Sequence, residues 1–186
     1  QQRAGDGDVA PQVYLPGETR PRIYWYVIYK VTNRSGEDQI FVPEFLLYTD
    51  TGQVVRADAD VPTAVFNAIK MRHNEPLLRN RTAMTGTIRQ GADNAMLGAA
   101  IWPNFDPQAT RFDVFVGGLS GETAEVDLPT PVIVTVTTPE GETREVTRTQ
   151  ATLTKTLCLS YTIAGDPADR PRASIKESRP STWVMR

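Results

Sequence analysis

One cysteine and one histidine in 186 residues leave little room for the commonest catalytic and metal chemistry. A zinc site needs several Cys or His ligands, which Cys158 and His73 cannot supply. No intrachain disulfide can form. His73 falls at the end of a predicted helix, where a cation suits the dipole, and no partners for a general base are evident near it. Cys158 lies among Thr and Ser on a predicted strand and reads as a small, inert strand residue. The chain therefore reads as non-catalytic and without a cofactor.

An excess of one charge is also missing. The net charge is -2 and the pI about 5.5, which gives no drive toward nucleic acid or an anionic membrane surface. No run approaches the roughly 18 apolar residues of a membrane span; the longest, Tyr24 to Tyr29, is far shorter. No internal repeat is visible. "VGGLSGET", residues 116–123, is glycine-rich, but Val116 and Glu122 stand where a phosphate loop needs Gly and Lys. It fails the nucleophile-elbow pattern too, because Gly121 and Glu122 follow Ser120 in the wrong order. The bland reading is a contact loop after a strand. Asp58, Asp60, Glu37 and Asp38 have no EF-hand spacing and read as solvated turn carboxylates.

What is present is mostly strand. A chain of this length buries roughly 70% of its unfolded surface, enough for a core of its own. Residues 23–32 carry apolar or aromatic side chains at both parities, so the strand is expected to be central and covered on both faces. Asn33-Arg34-Ser35-Gly36 is turn chemistry. A second strand runs from Ile40 to Thr49, and Pro43 marks an edge or a bulge within it. Asp60 as cap and Pro62 at an early position predict a helix near 62–73, with Val65, Phe66 and Ile69 on one face. Leu77 to Asn94 is ambiguous, with one strand around Ala83–Arg89. Further strands fall at Met96–Trp102, Phe112–Val116 and residues 131–138. The loop Pro139-Glu140-Gly141-Glu142 then leads into about twenty β residues from Thr143. Val146 is out of phase with Ala151, Leu153 and Leu157, which predicts a bulge or turn near Thr149-Gln150.

Residues 1–21 and 164–186 are rich in Pro, Gly and charge and read as extended tails flanking a body at 22–163. Each tail carries an apolar hook: Val9, Val13, Tyr14 and Leu15 at one end, Trp183, Val184 and Met185 at the other. The expected fold class is all-β, an antiparallel β-sandwich with one short inserted α-helix and extended terminal tails.

Residues 24–52, "YWYVIYKVTNRSGEDQIFVPEFLLYTDTG", resemble the strand–turn–strand of immunoglobulin-like accessory domains in secreted bacterial proteins and lipoproteins. Val31, Asn33, Phe45, Leu47, Asp50 and Gly52 carry the likeness. The resemblance implies a non-catalytic, extracytoplasmic domain: periplasmic, cell-surface or secreted. The opening residue Gln1, rather than Met, suggests a processed precursor and the same compartment. Open sheet edges and hooked tails predict a structural module that adds strands to a protein partner, either itself or a neighbouring subunit. Tyr24, Trp25, Tyr26, Tyr29 and Tyr48 offer a second expectation, a stacking platform for glycan, and an accessory subunit of an enzyme complex is a third. Asn33-Arg34-Ser35 and Asn80-Arg81-Thr82 match the glycosylation sequon.

Overall fold

The computed structural model describes residues 12–13, 20–139, 141–166, 169–170 and 173–186. Strand takes 57% and helix 12%, and every pairing between named strands is antiparallel, so the protein is a β structure with a short helix.

Three strands form the smaller sheet: β1 (Gln12–Val13), β2 (Arg22–Val31) and β7 (Met96–Pro103), with β2 in the middle. The double-sided aromatic pattern of β2 has the predicted consequence. Trp25 and Tyr29 join the main apolar cluster on one face, and Tyr24 joins a second cluster on the other. That second cluster is closed by helix α1 (Thr63–Arg72), which places Val65 and Ile69, both fully buried, against Ala99 and Ile101 of β7. Asp60 does not cap this helix. Its φ is 56°, and the helix starts after an extended Pro62 with no side-chain cap. Pro62 needs no donor at that position and its fixed φ is already right, so the ring alone defines the start.

The larger sheet has the order β11-β10-β8-β4-β5, with β9 also paired to β10. Its strands are β4 (Glu44–Thr49), β5 (Val54–Arg56), β8 (Arg111–Gly117), β9 (Thr123–Thr137), β10 (Thr143–Ala164) and β11 (Ser174–Met185). Phe45, Leu47, Phe112, Val114, Val116, Leu157, Leu159 and Ile163 from this sheet meet Trp25, Tyr29, Ala100 and Trp102 from the smaller one in a single cluster. Pro43 separates β4 from β3 (Gln39–Phe41), which leaves to pair with β6 (Gly86–Ile88). The missing amide at Pro43 thus ends one strand and starts the next. The ambiguous stretch after Leu77 resolves into a single helical turn, α2 (Arg81–Met84), capped by Asn80 Oδ1 accepting from the Ala83 amide, and then β6.

Residues 164–186, expected as a polar tail, include β11, which pairs with β10 from Ala164 to Lys155. The linking residues add a clamp. Arg170, 6% exposed, donates to the carbonyls of Asp106 (3.1 Å) and Ala109, and its guanidinium lies about 6 Å from the rings of Trp25 and Phe105. Edge strands keep water on one side, so the apolar alternation that reveals inner strands is weak there.

Candidate functional site

The first half of β10 and most of β9 leave the body as a two-stranded ribbon. Register runs from Thr154↔Thr123 to Thr143↔Thr137, closed by a turn in which Gly141 donates to the Thr138 carbonyl. Residues 143–154 span about 40 Å at the rise of a strand.

The expected bulge lies between Arg148 and Gln150: Gln150 faces Asp127 and Arg148 faces Val132. Most of the extra chain is on β9, where Pro129 and Pro131 cannot donate to a ladder. The bulge also changes which parity points inward. Below it, the Lys155 amide donates to the Glu122 carbonyl, so odd residues of β10 bond toward β9. At the tip, the Thr138 amide donates to the Glu142 carbonyl at 2.7 Å, so even residues do. The side-chain face follows bonding direction in an L-residue strand, so Leu153 and Ala151 share a face with Arg148, Val146 and Arg144. Their partners Ala124, Val126, Val132, Val134 and Val136 complete it.

One ribbon face is thus a valine row carrying two arginines, and it prolongs the core-facing side of the larger sheet past the end of the core. Val132 stays 47% exposed and Val126 38%. The reverse face holds Thr135, Thr137, Thr143 and Thr147, the carboxylates Glu125, Asp127 and Glu145, and Ile133, 65% exposed. Gln150 Nε2 donates to Asp127 at 2.9 Å.

Sheet borders differ in openness. β11 carries Pro180, and its register against β10 steps twice, between Cys158 and Ser160 and between Ser160 and Tyr161. Such irregularity blunts an edge. β5 is three residues long. The β10 edge above Thr154 is proline-free, and no described strand pairs with it. At Thr154 that edge is met by Arg186, with both backbone hydrogen bonds made.

The C-terminal hook residues lie in β11. Trp183 sits opposite Leu157, Val184 opposite Thr156 and Met185 opposite Lys155, so Val184 points to the other face from its neighbours. Trp183 is half-exposed on the rim of a cleft of about 450 Å³, whose floor is Tyr29, Phe41, Phe45 and Leu157. Lys155 Nζ lies 5.8 Å from the Trp183 ring and 2.6 Å from Glu122 Oε2. Leu119, in the glycine-rich loop, lines the same cleft. Val13 belongs to β1, while Val9, Tyr14 and Leu15 lie outside the described residues.

His73 caps α1, and its Nε2 lies 2.8 Å from the Tyr26 hydroxyl. Cys158 is buried in β10, 3.9 Å from Ser160 Oγ. Ser160 donates to Asp113 Oδ1 at 2.5 Å and accepts from Arg179 Nε at 2.6 Å, tying β8, β10 and β11 together. Burial pushes the Asp58 carboxyl up to about 6, against the pull of the Ile101 amide and of Arg81. No cluster of three or more His, Cys, Asp or Glu side chains able to hold a metal ion exists among the described residues. No helix among them is long and apolar enough to cross a membrane. Tyr24, Trp25 and Tyr29 are buried in the two cores, while Tyr26 and Tyr48 are half-buried.

Sequence logic missed the ribbon as such. Its signal was there: a Val/Thr alternation broken by Pro129 and Pro131, longer than the strands it would have to pack against. No family model matches this chain, and neither does any curated protein or solved structure.

Proposed function

We propose that this protein is a non-catalytic interaction module, an immunoglobulin-like sandwich that associates with other polypeptides, first of all copies of itself. The ribbon carries this reading. A two-stranded ribbon is marginal on its own in water, yet this one carries a valine face on which Val126 and Val132 are exposed and Val134, Val136 and Val146 only half-buried. A surface of that kind is a binding surface or a liability. The meeting of both sheets in one apolar cluster supports the sandwich, and the likeness of residues 24–52 to exported accessory domains supports a place outside the cytoplasm. Hydrogen exchange tests the reading. Amides of residues 123–154 are expected to exchange more slowly as protein concentration rises, while the body is unchanged. Exchange in the ribbon that is independent of concentration would refute self-association.

Trp183 on the rim of the cleft supports a second reading, a glycan-binding module. Glycan-array binding lost in Trp183→Ala is the expected result for it, and no binding by the parent chain would dismiss it.

A further inference from the structure

The two faces of the ribbon carry opposite charge, and this decides how two copies could meet. The valine face holds Arg144 and Arg148, with Glu142 at its tip, so its cations outnumber its one carboxylate. The threonine face holds Glu125, Asp127 and Glu145 and no cation. None of these arginines is ion-paired to a described carboxylate in its own chain. Packing two valine faces together would gather four arginines with only two glutamates, and packing two threonine faces would gather six carboxylates. Like charges brought together across an interface cost several kcal/mol.

We propose that copies of this chain stack ribbon on ribbon, the valine–arginine face of one against the acidic, threonine-rich face of the next. This rests on the self-association reading above and gives it a geometry. Stacked sheets pack about 10 Å apart, a distance that arginine side chains reach across. Val132, Val134 and Val146 then cover the exposed Ile133 of the neighbour. The contact uses different surfaces on the two copies, so it propagates, giving a ring if the rotation closes and an open fibre if it does not. A face about 40 Å long and two strands wide buries on the order of 800 Å² in total over both copies, the size of a weak, reversible contact. An anionic membrane or a nucleic acid is a poor alternative partner, because residues 123–154 carry five acidic and two basic side chains.

Sedimentation velocity across a concentration series tests the stacking. Wild type is expected to exceed the mass of one chain as concentration rises. Arg144→Glu/Arg148→Glu makes both faces acidic, and Glu125→Lys/Asp127→Lys/Glu145→Lys makes both basic, so each alone is expected to stay at the mass of one chain. Their equimolar mixture is expected to associate beyond the mass of one chain with the two variants alternating, since an acidic face then meets a basic face in either pairing; that rescue also shows both variants are folded. Stacking is overturned if either variant associates like wild type, or if the mixture stays at one chain. A chain whose ribbon is cut back, with Asn-Gly joining Val126 to Ala151, separates the two levels. If the shortened chain is monomeric while the charge variants associate normally, the ribbon still mediates association but not by stacking. If the shortened chain associates like wild type, the ribbon has no part in it and both ideas fall.

Discussion

Tyr29 of β2 stands directly opposite Gly98 of β7, and the absence of a side chain at Gly98 is what admits the phenol. A β-carbon built at Gly98 would lie 2.6 Å from Tyr29 Cζ, 2.7 Å from its hydroxyl and 2.9 Å from Met84 Cγ. Burial, and then the Asp58 carboxylate, pushes the phenol well above its ordinary pKa, so the ring stays neutral. The doubly covered strand at the centre of the fold depends on this fit.

Gly98→Ala is therefore expected to destabilise the protein by about 1–3 kcal/mol, the usual cost of overpacking a filled core. Tyr29→Leu in the same chain removes the clashing ring and should recover part of the loss. Urea unfolding of the two single variants and the double variant measures the coupling. Strict additivity would mean the contact is not the cause.

Arg170→Leu tests the clamp. The substitution strips the buried carbonyl of Ala109 and the half-buried carbonyl of Asp106 of a charged donor. The expected cost is about 1–3 kcal/mol, read as a lower urea midpoint with an unchanged slope. A midpoint equal to wild type would show that the linking residues add nothing to the body.

Asp58 sets a pH dependence. Its carboxyl sits at about 6 in the folded protein, above the roughly 3.9 of an unfolded Asp. The folded state therefore binds the proton more tightly. The stability this contributes is fully present below about pH 4 and is lost as pH rises through 6. Asp58→Asn keeps an acceptor for the Ile101 amide, and Asn tolerates the left-handed φ of 60° found there. The variant is expected to flatten the melting temperature between pH 4 and 7 and to gain about 1 kcal/mol at pH 7, since solvent screens part of the cost at this half-buried site. A variant that follows the wild-type curve would contradict the assignment.

Cys158 is buried on the outer side of β10 beside Ser160. Thiol reagents should modify it only at the rate of unfolding, and the modified fraction should track the folding equilibrium in urea. Rapid labelling of native protein would mean the strand opens locally.

Much of the fold could be read from residue order because burial leaves a period. The aromatics of β2 at both parities announced two covered faces, and Val65 with Ile69 announced the helix stripe. The phase slip at Val146 announced the bulge between Arg148 and Gln150. What escaped was what burial does not mark. β11 is an edge strand in which Lys176, Glu177, Ser178 and Arg179 face water, so it reads as a leash. Arg170 is buried through contacts set by distant turns, which no local pattern encodes. The ribbon was visible as two strands, but its projection past the core depends on how short the facing sheet is. Within the C-terminal hook, alternation sends Val184 to the other face of β11 from Trp183 and Met185. The N-terminal hook residues Val9, Tyr14 and Leu15 fall outside the described chain.

Native mass of the chain with and without its ribbon, over the same concentration range, is the most direct measurement. The parent should populate species of two or more chains, and the version joined from Val126 to Ala151 should stay single while melting within a few degrees of it. Two identical mass distributions would contradict the ribbon as the binding element.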